Sequence, residues 1–374
     1  MDHLFPAQVT TFRLHKHHLD SRAPLGSLKT VVGNICGIQA QLMSAAELAL
    51  WARVENLTQE DVAHALWMDH SLVKTWCMRG AAHLLVSTDL PIYVGGLQRR
   101  GLRREHEWIA RYGISESEMG AMVKAIVESL GNGALTRKEL TESVVARLGA
   151  KARRWVEHSW GGIVKQASLQ GLVVFGPSRG LEITFVRRDE WLPRVEDMPT
   201  EEAENMLLKH YLHGYGPASL ADFATWAGMT VSDATSITER ISSEIAEVKV
   251  GDRVYLMLRE DLAMLEKMDE SEKKFSVRLL PSFDPFMLGH KDKSHLVDKE
   301  YYKRIYRKAG WLSPTILING KAEGVWSYKK KGKCLHITIE PFHAIAKNAK
   351  DLIEEEARSL ANFYDMPFEL KLTL

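Results

Sequence analysis

A capping box, a second helix and a glycine-turned ribbon recur three times in this 374-residue chain, and that repeat limits the folds open to it. Leu57-Thr58-Gln59-Glu60-Asp61 sets a Thr before an acidic residue three positions on, with an apolar residue just ahead. Leu135-Thr136-Arg137-Lys138-Glu139 repeats the arrangement, and Ala218-Ser219-Leu220-Ala221-Asp222 repeats it at a similar interval. Such a box satisfies the orphan N–H groups of a helix start, and the preceding apolar residue fixes the angle of entry. Each box leads into a further helical stretch and then two short strands. The first ribbon joins Trp76-Cys77-Met78 to Ala82–Val86 about Arg79-Gly80. The second joins Leu172–Phe175 to Leu181–Phe185 about a Gly176–Gly180 turn that carries Arg179, and the third joins Glu247–Val250 to Val254–Met257. Helix, turn, helix and β-hairpin wing make a winged helix. Three in tandem are expected.

From Phe275 the texture changes to strands: Val277–Pro281, Thr315–Lys321, Ala322–Tyr328, Cys334–Ile339 and, after a helix from about Ala346 to Tyr364, Phe368–Leu372. Asn319-Gly320 is a hairpin signal, and Lys329–Lys333 reads as a basic turn. Strands at this spacing suggest a small barrel or curled sheet. The expected fold class is therefore α+β, with three tandem winged-helix units followed by a C-terminal β-barrel-like domain. The divisions expected are 1–95 (arm and first winged helix), 96–197 (second), 198–272 (third) and 273–374 (β-rich domain).

Composition excludes more than it selects. No apolar run reaches the length of a membrane span, and the N-terminus lacks a signal-peptide core. Cys36, Cys77 and Cys334 are scattered, which argues against a disulfide framework or cysteine zinc site and fits a reducing cytoplasm. Arg13-Leu14-His15-Lys16-His17-His18 has no carboxylate or cysteine at ligand spacing, so a basic, solvated arm is expected there, not a metal site. A formal net charge of +1 does not announce nucleic acid, so any binding surface must come from local clusters. Gln98-Arg99-Arg100 to Arg104, with Trp108 and Arg111, forms one such cluster; Arg147, Lys151, Arg153, Arg154 and Trp155 form another. No Walker A, dinucleotide or H-E-x-x-H pattern is present. Trp51, Trp67 and Trp76 read as core aromatics.

One short segment stands apart. In Gly37-Ile38-Gln39-Ala40-Gln41-Leu42-Met43-Ser44 two glutamines flank a small residue, so an extended backbone sends both amides to one side. Ser44-Ala45-Ala46-Glu47 has capping-box spacing, which places a capped helix immediately after the pair. From residue types alone, a turn whose amides bond neighbouring backbone is the simpler reading.

The segment Gly37–Gln41 with the Ala/Leu-rich stretch to Leu50-Trp51-Ala52-Arg53 resembles the AlkZ/YcaQ family of winged-helix DNA glycosylases, whose members carry Gln-x-Gln or Gln-x-Asp. Further likeness lies in Arg79-Gly80-Ala81-Ala82-His83-Leu84, in Leu279-Leu280-Pro281-Ser282-Phe283-Asp284-Pro285, in Gly289-His290-Lys291-Asp292-Lys293-Ser294, and in Asn319-Gly320 with Gly324-Val325-Trp326. Position 81 is more often Thr in the family, and arginine is common where His290 to Lys293 stand. The resemblance implies Gln39 and Gln41 as catalytic residues, and Arg79, His83, Arg179, Asp284, Lys291 and Lys293 as DNA-binding residues. For Asp284 the residues also allow a carboxylate that satisfies turn amides before Pro285. The implied partner is double-stranded DNA containing alkylated purines, met by a monomer at the cytoplasmic nucleoid, with no metal and no cofactor. Gln41 in place of Asp implies bulky N7 or N3 adducts in preference to crosslinks generally. The alternative class is a non-catalytic winged-helix DNA-binding protein, either a regulator or a lesion-sequestering resistance protein.

Overall fold

The computed structural model describes residues 3–158, 161–268 and 275–373. The expected division at 272/273 falls outside them, as do the side chains of Gln98, Arg99, Arg100, Arg103, Arg104 and Trp108. By compactness the chain forms two units, Met1–Val62 with Leu208–Leu374, and Ala63–Leu207.

Within Ala63–Leu207, the helices Glu116–Ser129, Arg137–Leu148 and Gly162–Leu169 cover a three-stranded sheet. Leu135–Thr136 pairs with Glu182–Arg187, which pairs with Val173–Arg179. Ile126, Leu140, Val164 and Phe185 fill the interior. The expected Thr136/Glu139 box is formed, and Ser115/Glu118 forms another that sequence reading passed over. The hairpin Leu72–Trp76/Ala82–Val86 lies in the same unit and begins earlier than its expected ribbon. Trp76 packs 4.4 Å from Phe175.

The third winged helix follows the same order: helix Thr200–Tyr215, the bridge Ala218–Leu256, Ser219-capped Leu220–Ala227, Thr230-capped Val231–Arg240, and the wing Ile245–Val250/Arg253–Leu258. Comparing element order corrects the repeat. In the first copy the strand Ile38–Gln39 precedes helix Met43–Trp51, and the Thr58/Asp61 box caps the helix after that. Thr58 therefore corresponds to Thr230, one helix later than Thr136 and Ser219. Gln39 occupies the strand position held by Thr136 and Ala218 in the other copies.

The N-terminal arm is not solvated. His3–Leu4 runs parallel to Ile245–Val250, and helix Pro6–Lys16 inserts Val9 and Phe12 against Val248 and Met257. Its cations are internal: Arg13 donates to the Pro217 carbonyl, and Lys16 bonds Asp261 at 2.6 Å. The spacing of charge misled here because the partners lie some two hundred residues away.

The C-terminal sheet is open, not barrel-like. Its order is Val277–Leu280, Thr315–Ile318, Lys321–Lys331, Cys334–Pro341, Phe368–Leu372. Helix Lys347–Phe363 carries the chain back so that the last strand joins parallel to Cys334–Pro341. The two outer strands thus stay at opposite edges. Asn319 (φ 50°) and Gly320 (φ 84°) form the expected tight turn.

His17, His83 and His290 are buried in these interiors. Desolvation is the main cause that lowers each imidazole, His83 to about 3 and the other two well below the usual value. A histidine held neutral in the fold takes up a proton on unfolding below about pH 6.5, so the unfolded state binds more protons and stability drops as pH is lowered. Each group contributes up to about 1.4 kcal/mol per pH unit in that window. Thermal melts should shift down markedly from pH 7 to pH 5; superimposable curves would refute the assignment.

Candidate active site

Helix Leu28–Asn34 ends in a turn that determines where Gln39 points. Gly37 N–H bonds the Val32 carbonyl and Cys36 N–H that of Gly33, the two bonds of a Schellman stop. The left-handed position of that stop, usually glycine, is Cys36 (φ 57°). Its thiol, fully buried, donates to the His210 carbonyl at 3.0 Å. Tyr215 donates its hydroxyl to the Ile35 carbonyl at 2.9 Å. Gly214 lies so close that a Cβ there would sit 2.4 Å from the Asn34 carbonyl oxygen. The turn is gripped by backbone and side chains that leave it no room to shift.

Beyond the turn, Ile38 and Ala40 are buried, Gln39 is half-buried and Gln41 exposed. That alternation sends both amides to the open side, as the spacing requires. Only Ile38–Gln39 is strand; Gln41 begins a bend. Among the described residues neither glutamine amide is hydrogen-bonded by the protein, so the turn-bonded reading fails. The Ser44 box also fails. Helix Met43–Trp51 starts two residues earlier than such a box would place it, with Leu42 at its N-cap, and Glu47 instead accepts from Gln59 at 2.8 Å.

The far end of that helix is fixed by Arg53, two residues beyond its end. Arg53 and Asp284 are both fully buried and form two parallel bonds of 2.8 Å. Arg53 also donates to the Ala49 carbonyl, and Asp284 accepts from Phe286 N–H. Asp284 therefore does not reach DNA. It satisfies a turn amide, as the residues allowed, and anchors the helix that follows the glutamines. An arginine directly after an apolar helical run was the available signal.

The second C-terminal stretch is also a brace. Gly289 abuts Tyr215, where a Cβ would overlap the ring at 2.1 Å. The Gly289 carbonyl accepts from Tyr211, and His290 bonds the Tyr215 carbonyl at 2.9 Å. Lys293 donates to the Met287 carbonyl and lies over the Tyr306 ring, so its ammonium is turned inward. Lys291 is exposed, its ammonium unpaired among the described residues; its backbone N–H bonds Asp222.

In the other unit, His83 is buried with Nδ1 against the Ala81 carbonyl at 3.0 Å, which withdraws it from any DNA surface. Arg79 is half-buried in the tight turn (φ 55°). Arg179, on the second wing, is exposed but paired with both oxygens of Glu139. Arg147 and Arg153 are likewise paired, with Glu128 and with Glu142 and Glu157. No group of residues suited to a metal ion occurs among the described residues, and no described helix is long and apolar enough to cross a membrane.

Fold and site together define a protein of tandem winged helices that carries a braced amide pair to which no described protein group bonds. A sequence profile described as DNA glycosylase AlkZ-like matches residues 32–363, and the chain belongs to that family. It is 29% identical over 367 residues to an interstrand DNA cross-link repair glycosylase of Streptomyces sahachiroi, covering 95% of each chain. It also superposes on the solved DNA glycosylase AlkZ of that organism with a TM-score of 0.86, at 26% identity and over the whole of both chains. The enzyme is a DNA glycosylase, a hydrolase of N-glycosyl bonds.

Removing Asp284 would leave Arg53 charged and buried. Asp284→Ala should lower the unfolding free energy by about 3–5 kcal/mol. Urea titration reads this directly, and a loss under about 1 kcal/mol would show that the pair is not the anchor.

Proposed function

We propose that the enzyme hydrolyses the N-glycosidic bond of alkylated purines in duplex DNA and leaves an abasic site. N7-alkylguanine is the primary substrate, with bulky adducts and N3-alkyladenine in the same class. The observation that carries this reading is the pair Gln39 and Gln41, presented without an internal partner among the described residues where a braced two-residue strand runs into a bend. An amide accepts and donates hydrogen bonds but does not titrate near neutral pH, so it is no general base. A site built on amides needs a leaving group that is already activated. Alkylation at N7 provides one, since it makes the base cationic and weakens its bond to the sugar. One carbonyl oxygen then orients a water at the sugar carbon, while the other faces the developing oxocarbenium or the lesion. Interstrand cross-links, on which the Streptomyces relative is named as acting, enter this class through alkylated purine nitrogens.

No lysine stands beside the pair, which supports hydrolysis without a Schiff base and without strand cleavage. Lys291 and Arg79 are the DNA contacts retained from those expected; Arg179 would join them only by leaving Glu139. The enzyme is read as a monomer that works on the cytoplasmic nucleoid.

The test is mass analysis of bases freed from DNA treated with a methylating agent. Wild-type enzyme should release N7-methylguanine. Gln39→Ala/Gln41→Ala should bind the same DNA and release it at least roughly 100-fold more slowly. Undiminished release by the double variant removes the site assignment, whereas binding without release by the wild type favours a regulator or sequestering protein. Nicked strands appearing without added base would exclude the monofunctional mechanism.

A further inference from the structure

The segment Tyr301–Trp311 is absorbed by neither the glutamine site nor its braces. It forms a short helix, Tyr302–Ile305, and a tight loop closed by Arg307 N–H to the Trp311 carbonyl at 2.8 Å. Ala309 (φ 57°) and Gly310 (φ 74°) turn the chain so sharply that Arg307 and Lys308 stand beside Trp311. An open cleft of about 830 Å³ results, lined by Tyr302, Lys303, Tyr306, Arg307, Lys308 and Trp311. Three of the six are cations and none is a carboxylate. Lys303, Arg307 and Lys308 are exposed, and none is ion-paired among the described residues. That contrasts with Arg147, Arg153 and Arg179, all neutralised by glutamates.

The aromatic walls are held and only partly covered. Tyr302 stacks on Tyr306 at 4.8 Å, and Tyr306 is tethered by its hydroxyl to the Met287 carbonyl. Trp311 rests its edge on Phe283 at 5.1 Å and remains 46% exposed; Tyr302 remains 42% exposed. Exposed tyrosine and tryptophan rings set among unpaired cations are the makings of a platform for stacked bases and their phosphates. A fully paired helix offers no free base face to such a cleft, but an unpaired nucleotide does.

We propose that this cleft is a subsite for unpaired nucleotides of DNA. Trp311 and Tyr302 stack on a base, and Lys303, Arg307 and Lys308 take the flanking phosphates. The proposal rests on the enzyme acting on DNA but not on which base it excises.

A fluorescein-labelled oligothymidylate of about a dozen nucleotides and a fully paired duplex of the same length serve as probes for anisotropy with the whole chain. Wild-type enzyme should bind the single strand with an affinity that falls with salt. Trp311→Ala and Tyr302→Ala should each weaken that binding by roughly 5- to 100-fold. Trp311→Phe should restore most of the loss, and duplex affinity should change less than about twofold. Lys308→Ala should lower the salt dependence by about one counterion on the single strand. The proposal is overturned if the aromatic variants bind the oligothymidylate as wild type does, if Trp311→Phe is as weak as Trp311→Ala, or if duplex binding falls in parallel. Base release is read in a separate assay, so its failure by the wild type would remove the excision reading and leave this one standing.

Discussion

Arg53 and Asp284 lie 231 residues apart in sequence and meet at two bonds of 2.8 Å with no exposure to solvent. Such a pair is a poor source of net stability, because taking both charges out of water offsets most of their attraction. Its value here is geometric. The guanidinium fork bonds the carboxylate along one face while Nη1 also holds Ala49, so the last turn of helix Met43–Trp51 has a defined position and rotation. Asp284 in turn caps the short helix Pro285–Leu288. An apolar pair of similar volume would fill the space without specifying either orientation.

The same logic governs the other side of the glutamines. An enzyme that works with a titratable base can adjust a proton affinity to gain rate, but an amide has no such lever. What remains is placement, and a misplacement of an ångström is costly when orientation supplies the rate. On the proposed reading this is the use of the tight grip on the turn before Gln39: a left-handed Cys36 whose thiol is bonded, Tyr215 on the Ile35 carbonyl, and a Gly214 contact that excludes any side chain. Gly289 and His290 then support Tyr215 from behind. The two C-terminal stretches that resembled DNA-contacting motifs are largely this scaffold.

What could be read in one dimension was local. Capping boxes at Thr58, Thr136 and Ser219, the Asn319-Gly320 turn and the same-sided Gln39 and Gln41 depend on neighbours within a few residues, and all are present. What could not be read depended on distant partners. Arg13 and Lys16 looked solvated because Pro217 and Asp261 are remote in the chain. Ser44 has the right spacing for a cap, yet the helix starts at Met43, where burial of Ala45 and Ala46 fixes its first turn. His83 is expected at DNA by resemblance alone, but both faces of Ala82–Val86 are buried, so the imidazole is packed inside. Asp284 could be placed in a turn from its own residues, whereas Arg53 opposite it could not.

The distribution of charge bears on how such an enzyme searches DNA. With a net charge of +1, affinity for the backbone depends on how many cations remain free. Much of the arginine is already committed: Arg147, Arg153, Arg179, Arg187 and Arg253 each face a carboxylate. Among the described residues, Lys291, Lys303, Lys308, Lys329, Lys331 and Lys333 in the C-terminal part, joined by Arg307, are exposed and in no ion pair. A few mobile point charges bind phosphate weakly and without preferred geometry, whereas bidentate arginine would hold it in place. On the proposed reading, undamaged duplex is then released readily, and discrimination falls to the glutamine pair and the reactivity of the lesion. If Gln39 and Gln41 are the catalytic groups, as proposed above, that weak grip is tolerable, because an intact purine is too poor a leaving group to be lost during the encounter.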